Sequence, residues 1–174
     1  TEYRYDEASN RTTVVDRRGV ETITEYDLGD RPVRVRAAPA PGSSFLAQNG
    51  VEGAIGQAGV VATYGYDAAG NRVFETDIHG HRTDYRLDSL YRVVRVQGPQ
   101  VPGPDLDAPA QSYETLARFD LVGNKTRSVD GNGHATRLEY DFANRLVLTV
   151  DPLGREERRE YDGNGNPSVE RWLA

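Results

Sequence analysis

A repeat of 21 residues is the feature that most constrains how this chain can fold. Its clearest copy reads Tyr66-Asp67-Ala-Ala-Gly70-Asn71-Arg72. Anchor residues, aromatic in all copies but one, begin the copies at positions 5, 26, 66, 87, 119, 140 and 161, with spacings of 21, 40, 21, 32, 21 and 21 residues. Self-similarity at this period predicts stacked copies of one supersecondary unit.

A second recurring signal, Asp-x-x-Gly, falls eleven residues after the anchor. It occurs at 16–19, 77–80, 130–133 and 151–154. An Asp side chain at the first position of a turn accepts hydrogen bonds from backbone N–H groups further on, and Gly three positions later tolerates positive φ. One unit is therefore predicted to be turn, strand, turn, strand. Ser9 replaces Gly in the first copy, so we expect that turn to be strained or differently shaped.

The segments between these turns alternate in polarity with period two. Thr22, Thr24 and Tyr26 fall on one side of their segment, whereas Arg82, Asp84 and Arg86 fall on the opposite side of theirs. This alternation is typical of antiparallel strands that are covered on one face. No sustained helical periodicity occurs. The predicted fold class is all-β, an antiparallel meander of repeated β-hairpin units that forms one array over residues 1–174.

The recurring acids, aromatics, asparagines and glycines are predicted to serve the architecture of the repeat and not catalysis. Turn capping explains the acids, because they recur with the unit and do not depend on convergence in a cleft. The predicted repeat-signature residues are Tyr5, Asp6, Asn10, Asp16, Gly19, Tyr26, Asp27, Tyr66, Asp67, Gly70, Asn71, Asp77, Gly80, Phe119, Asp120, Gly123, Asn124, Asp130, Gly133, Tyr140, Asp141, Asp151, Gly154, Tyr161, Asp162, Gly165 and Asn166.

Two insertions, at 37–60 and 98–111, each replace the second turn of a unit. Their Pro and Gly content argues against regular structure over most of their length, although 51–62 could hold a helical turn or an extra strand. Since both replace the same turn, we expect both to leave from the same edge of the sheet. Long loops at one edge suit recognition of a partner, and tolerated surface insertions are the alternative.

Composition excludes several classes of function. The net charge is −6 and the single lysine is Lys125, while the arginines alternate with acids, so nucleic-acid binding is not predicted. No cysteine is present, and no apolar run is long enough for a membrane span. His79 and His81 could in principle bind zinc, but His134 repeats the position of His81, which favours a structural preference. We predict no enzyme activity, no metal and no cofactor.

The chain resembles the Rhs or YD-repeat proteins of bacteria. The signature of that family appears almost complete in Tyr66-Asp67-Ala-Ala-Gly70-Asn71-Arg72 and in Thr76-Asp77-Ile-His-Gly80-His-Arg-Thr83-Asp-Tyr85. The resemblance covers the whole chain apart from the two insertions. Asp151-Pro-Leu-Gly154 is similar to the opening of the family's terminal core sequence, but Arg155 follows it and the repeat resumes, so an ordinary turn is predicted.

The resemblance implies a segment of a spiralling β-shell that encloses a toxic C-terminal polypeptide, as in Rhs toxins, used in competition between bacteria, and in the BC component of toxin complexes. Its partners would be adjacent repeats and the enclosed toxin, and it would be secreted or delivered by a secretion system. Since residue 1 is Thr and Met is absent, we expect a piece of a longer array. The open sheet edges are expected to associate with one another or to be capped near Trp172. The alternative function is a carbohydrate- or receptor-binding surface module that uses the insertions and is related to the adhesive shell of teneurins.

Overall fold

The computed structural model describes residues 1–38, 59–100 and 112–173, and within these ranges the chain forms β-strands joined by turns. The strands are β1 (Glu2–Tyr5), β2 (Arg11–Val15), β3 (Glu21–Tyr26), β4 (Pro32–Ala38), β5 (Gly59–Tyr66), β6 (Arg72–Thr76), β7 (Arg82–Leu87), β8 (Val93–Gln97), β9 (Glu114–Phe119), β10 (Lys125–Val129), β11 (Ala135–Tyr140), β12 (Leu146–Val150), β13 (Glu156–Tyr161) and β14 (Pro167–Leu173). These ranges contain no helix that could cross a membrane.

The strands lie next to one another in the order in which they occur along the chain, and the pairs are antiparallel. The predicted all-β meander is thus confirmed. Every anchor residue is the last residue of an odd-numbered strand. The pairing register shifts there, for example between Gly65 and Tyr66 and between Glu160 and Tyr161. Such a bulge is the expected companion of a hairpin turn that ends in a left-handed residue.

Contacts divide the chain into two compact units, residues 1–84 and 85–174. In the first unit the β4–β5 connection carries the insertion predicted at 37–60, and in the second unit the β8–β9 connection carries the insertion predicted at 98–111. Each connection follows an even-numbered strand. Within its unit it therefore leaves from the edge opposite the turns that follow the anchor residues. The strands β4 and β5 extend into the first predicted insertion through Ala38 and Gly59. Residues 39–58 and 101–111 lie outside the described residues.

The two faces of the sheet differ in chemistry, and few side chains are fully buried on either. Among the described residues, Leu148 is the buried large apolar side chain, at 6% exposure. One face carries ion pairs between neighbouring strands, such as Glu25 with Arg34 and Arg36. The face opposite holds Thr24 and the anchor Tyr26, as the period-two pattern predicts. A single layer with two unlike faces is therefore the basic architecture of each unit.

A glycine in β5 is required because an aromatic ring occupies the space above it. Gly65 pairs directly with Phe74 on β6. A Cβ atom placed on Gly65 would lie 2.0 Å from the Phe74 ring, a distance that no real contact allows. The Cζ atom of Arg82 lies 3.8 Å from the centre of the same ring, and the guanidinium also binds the Asp84 carboxylate. The ring is therefore packed between a bare backbone and a cation.

The substitution Gly65→Ala is expected to lower the free energy of unfolding by roughly 1–3 kcal/mol, because the added methyl group overlaps the Phe74 ring and forces it to move. The matched control is Gly163→Ala, where a Cβ atom would meet nothing within 4 Å. Urea titrations followed by circular dichroism measure both variants. Equal unfolding midpoints for Gly65→Ala and Gly163→Ala would contradict the packing argument.

Candidate functional site: the turn edge between neighbouring hairpins

One aspartate side chain organises each turn, as Asp67 shows. Its Oδ1 atom accepts hydrogen bonds from the backbone N–H groups of Ala69 and Asn71, both at 2.9 Å. Its Oδ2 atom accepts a hydrogen bond from Nδ2 of Asn71 at 3.0 Å. The backbone closes the same turn, since the N–H of Gly70 donates to the carbonyl of Asp67 at 3.0 Å. The carboxylate therefore holds both the backbone and the fifth residue of the turn.

Two backbone hydrogen bonds close each turn: the N–H of the fourth residue donates to the carbonyl of the aspartate, and the N–H of the aspartate donates to the carbonyl of the fifth residue. Both recur in the eleven turns that begin at Asp6, Asp16, Asp27, Asp67, Asp77, Asp88, Asp120, Asp130, Asp141, Asp151 and Asp162. The fourth residue of every turn has positive φ. It is glycine in seven turns and a non-glycine residue in four, namely Ser9 (69°), Asp30 (58°), Tyr91 (61°) and Asn144 (59°). The Ser9 turn keeps the common shape, so of the two predicted outcomes the strained backbone occurs and the different shape does not.

The hydrogen bonds of the turn lower the pKa of ten aspartates. At Asp67 the side chain of Asn71 is the main cause of the lowered pKa, and at Asp27 it is the guanidinium of Arg31. At Asp162 the backbone N–H of Asn166 lowers the pKa most. Donors of the turn are also the main cause of a lowered pKa at Asp16, Asp88, Asp130 and Asp141. Burial is the largest single influence at Asp77, Asp120 and Asp151 and raises the pKa, but the donors of the turn together outweigh it, so the pKa is lowered there too.

The turns that follow the anchor residues are of two kinds, which alternate along the chain. In the amide turns, at 6–10, 67–71, 120–124 and 162–166, the fifth residue is Asn. In the arginine turns, at 27–31, 88–92 and 141–145, it is Arg. The guanidinium binds its own turn tightly. In Arg92, for example, Nε lies 2.8 Å and Nη2 lies 2.7 Å from Oδ2 of Asp88.

Each arginine turn also contacts the amide turn that follows it. The Cζ atom of Arg31 lies 4.8 Å from the ring centre of Tyr66, and the corresponding distances are 4.6 Å for Arg92 over Phe119 and 4.7 Å for Arg145 over Tyr161. Nη1 of Arg92 also donates to the carbonyl of Asp120 at 3.3 Å. A guanidinium over an aromatic face is attracted by the negative potential of the ring. Two of these three contacts join residues on either side of an insertion.

Contacts from an amide turn to the following arginine turn complete the series. Nδ2 of Asn10 donates to Oδ1 of Asp30 at 2.7 Å, and Nδ2 of Asn124 donates to Oδ1 of Asn144 at 2.9 Å. The acceptors are two of the non-glycine residues with positive φ. Asp30 and Asn144 thus combine a left-handed backbone, which these residue types tolerate best, with a hydrogen bond to the neighbouring hairpin.

The anchor tyrosines connect hairpins through their hydroxyl groups. The hydroxyl of Tyr66 donates to the carbonyl of Pro32 at 2.9 Å, and the hydroxyl of Tyr161 donates to the carbonyl of Leu146 at 2.8 Å. Tyr26 and Tyr140 make the equivalent bonds, to Arg11 and Lys125 respectively. In each case the acceptor is the carbonyl of the residue that directly follows the preceding amide or arginine turn. A tyrosine ring therefore ties each of these hairpins to the one before it.

A groove lies between the first amide turn and the next arginine turn in each unit, lined by Asn10, Thr12, Tyr26 and Asp30 in one and by Asn124, Thr126, Tyr140 and Asn144 in the other. Their polar groups already have protein partners. The Thr126 hydroxyl, for example, donates to the carbonyl of Arg118 at 3.3 Å. These groups have thus satisfied much of their hydrogen-bonding capacity within the sheet.

The histidines act as turn partners. Nδ1 of His81 lies 3.2 Å from Oδ2 of Asp77, and Nδ1 of His134 lies 3.3 Å from Oδ2 of Asp130. The rings of His79 and His81 lie with their centres 5.7 Å apart. The part of the chain that the structure describes holds no group of three or more His, Cys, Asp or Glu arranged to hold a metal ion. Asp151 to Gly154 form an ordinary turn of the common type.

The structure brings each predicted repeat-signature aspartate together with its own turn and does not gather the aspartates into one cluster. Sequence reasoning missed the contacts between hairpins that follow from the alternation of Asn and Arg at the fifth position. It also missed the role of Asp30, Tyr91 and Asn144 in place of glycine. The alternation was readable from the sequence, since it runs without exception from Asn10 to Asn166.

Comparison with known proteins supports the repeat interpretation. No family model matches the chain. The chain is 32% identical over 175 aligned positions to toxin protein Tse5 of Pseudomonas aeruginosa. The alignment covers 92% of this chain and 12% of that protein. A crystal structure of TcdB2-TccC3-TEV superposes with a TM-score of 0.70 at 16% identity, covering 98% of this chain and 9% of that one. The Tc holotoxin pore of Photorhabdus luminescens gives a TM-score of 0.63 at 14% identity, covering 98% and 10%.

The fold and the turn edge define a β-sheet repeat protein in which the successive hairpins of each compact unit are joined to one another. The likeness to the two solved structures shows that this fold is shared with them. Together with the similarity to toxin protein Tse5, the signature residues identify the chain as repeat sequence of the Rhs, or YD-repeat, type. The chain spans only 12% of the length of that relative.

Acid is expected to destabilise the fold through the turn aspartates. Since the pKa of Asp67 is lower in the folded chain than its ordinary value of 3.8, its contribution to stability is present above that value and is lost as the pH falls through the folded pKa. The urea midpoint should therefore stay constant from about pH 7 to about pH 5 and fall below about pH 4. Asp67→Asn should lower the midpoint at neutral pH and reduce the acid-dependent loss, whereas the exposed control Glu7→Gln should do neither. An unchanged acid-dependent loss in Asp67→Asn would contradict this account.

Two glycine substitutions at the fourth turn position separate backbone strain from the contact between hairpins. Tyr91→Gly is expected to raise the free energy of unfolding by up to about 1 kcal/mol, because glycine removes the left-handed strain. In Asn144→Gly the gain is smaller, because asparagine tolerates the left-handed backbone better than tyrosine does, and it is offset by loss of the hydrogen bond from Asn124, which is worth about 0.5–1.5 kcal/mol. Urea denaturation should therefore rank Tyr91→Gly above Asn144→Gly. An unfolding midpoint for Asn144→Gly above that of the unaltered chain would show that the bond between hairpins contributes little.

Proposed function

We propose that this chain is one continuous stretch of the wall of a shell that encloses a toxin polypeptide. The observation that carries the proposal is the similarity of nearly the whole chain to a small part of toxin protein Tse5. A segment that aligns over 92% of its own length with 12% of a toxin protein suits a repeated structural part of such a protein. The toxic activity would then belong to another part of the same polypeptide.

The physical character of the sheet supports a wall. Each unit is a single layer in which one face carries ion pairs such as that of Glu25 with Arg34, the other carries Thr24 and the anchor Tyr26, and few side chains on either face are fully buried. Acids that could act in catalysis, such as Asp67 and Asp141, already accept hydrogen bonds within their own turns. A pair of catalytic acids must converge on a substrate. Here each carboxylate is instead engaged in hydrogen bonds within its own turn. The proposed role is therefore containment, without enzyme activity in this chain.

The contacts along the turn edge suit the mechanical demand of containment. A wall must hold its hairpins together without a second layer to support them. Arg31 and Asn10 strengthen the connection between hairpins, because their side chains join one hairpin to the next in addition to the hydrogen bonds between strands. In the proposed assembly the partners of this chain are the adjacent repeats and the enclosed polypeptide, and the shell is secreted or delivered together with its toxin.

Photo-crosslinking in a toxin protein that carries this array tests the proposal. A photoreactive amino acid is placed at Leu138 or Thr24, on the face of the anchor residues, and in matched variants at Arg137 or Glu25, on the charged face. If the sheet is a wall, crosslinks to the toxin polypeptide should form from one face only, and deletion of the toxin should abolish them. Crosslinks from neither face, or equal yields from both, would overturn the proposal.

A further inference from the structure

Three arginines lie side by side in the second compact unit, on the charged face, which is the face that carries the ion pairs. Arg127 on β10 pairs directly with Arg118 on β9 and with Arg137 on β11. All three residues are exposed. Neighbouring strands are about 4.8 Å apart, so this arginine row is about 10 Å long. The three residues belong to three different strands, and the pairing register brings them together.

Few carboxylates balance the arginine row. Arg137 forms an ion pair with Glu139 on its own strand. In the part of the chain that the structure describes, no ion pair joins Arg118 or Arg127 to an acid. Like charges directly opposite each other on neighbouring strands destabilise a sheet. The row therefore has a cost in stability and leaves two guanidinium groups available to a partner.

The equivalent row of the first compact unit is built from other residues. Its members stand at the same positions relative to the anchor and pair in the same register, and they are Arg4, Thr13 and Ile23. Arg4 has an acidic partner, Glu21, at 3.2 Å. The residue that corresponds to Glu21 in the second unit is Ala135. The repeat therefore forms without aligned arginines, and the positive charge is particular to the second unit.

An apolar row lies beside the arginine row on the same face. Leu116 pairs with Val129, and Val129 pairs with Ala135. Each of them stands two positions along its strand from one of the arginines, which places the two rows about 7 Å apart. Leu116 is 38% exposed, and the other two residues are partly exposed. The surface thus offers positive charge and apolar area side by side.

This combination favours a polypeptide partner over a nucleic acid. Guanidinium groups bind carboxylates and phosphates alike through charge-assisted hydrogen bonds. A nucleic acid, however, requires many basic residues along its backbone, whereas this chain has a net charge of −6 and Glu139 borders the row. In an extended peptide, side chains two residues apart point to the same side and lie about 7 Å from each other. That distance equals the separation of the two rows.

We propose that the arginine row and the apolar row form a docking surface for an acidic peptide segment in which an apolar residue stands two positions from a carboxylate. The carboxylate accepts hydrogen bonds from Arg118 and Arg127, and the apolar side chain covers Leu116 and Val129. The proposal goes beyond the proposed function and does not depend on it, because it concerns only the charged face of this chain, whether or not a toxin is enclosed.

Fluorescence anisotropy tests the proposal with the whole chain and a labelled peptide in which Glu-Glu-Leu-Leu occurs twice. At low salt the peptide should bind, and Arg127→Thr should weaken binding by about three- to fivefold, the contribution of one exposed ion pair. Thr13 holds the equivalent position in the first unit, so this substitution suits the fold. Arg118→Thr should have a similar effect. The matched control Arg17→Thr removes the same charge from an exposed turn and should change the affinity by less than about twofold.

Two further peptides separate the contributions of the two rows. Replacement of each Glu by Gln should abolish binding, and replacement of each Leu by Ser should weaken it. A single-stranded oligonucleotide and inorganic phosphate should compete poorly with the acidic peptide. Without any ligand, Arg127→Thr should raise the urea midpoint more at low salt than at high salt, because it removes repulsion between opposed guanidinium groups.

Equal affinities of Arg127→Thr and Arg17→Thr for the acidic peptide would overturn the proposal, because net charge alone would then explain binding. Absence of binding to the unaltered chain at low salt would overturn it too. An oligonucleotide that binds as tightly as the acidic peptide would show a phosphate site instead, and equal binding of the Ser peptide would remove the apolar row from the surface. A selective loss in Arg118→Thr and Arg127→Thr supports the proposal.

Discussion

The structure depends on the hydrogen bonds that one aspartate carboxylate accepts in each turn. Oδ1 of Asp67 binds two backbone N–H groups, which fixes the turn, and Oδ2 holds the fifth residue in place. Because the fifth residue is held in this way, its remaining donor groups point along the edge toward the next hairpin. The carboxylate thus acts at two levels, first on the local conformation of the turn and then on the contact with the next hairpin of the same unit.

The contacts along this edge make up for the lack of a conventional core. A single layer of strands buries few side chains completely, and Leu148 is the large apolar residue that does so within the described ranges. The hairpins of each unit are instead joined by backbone pairing, by tyrosine hydroxyls such as that of Tyr161, and by guanidinium groups over aromatic rings. Each of these contacts is modest by itself, and their repetition along the edge makes them a continuous connection.

The alternation of Asn and Arg gives this connection an order. A uniform turn would allow any hairpin to follow any other, whereas complementary turns favour one sequence of hairpins over slipped or reversed arrangements. For a long repetitive chain, in which many wrong pairings of strands are available, such discrimination has a clear use during folding.

The sequence alone determined the strands, the turns and the role of the aspartates, because these depend on residues no more than a few positions apart. Positive φ at Asp30 and Asn144 escaped prediction, since glycine was taken as its only sign. Only the tertiary structure showed that Arg31 covers Tyr66 and that Arg92 covers Phe119. Each of these pairs is separated by an insertion, and the two side chains meet only because paired strands place successive turns beside one another on the same edge of their unit.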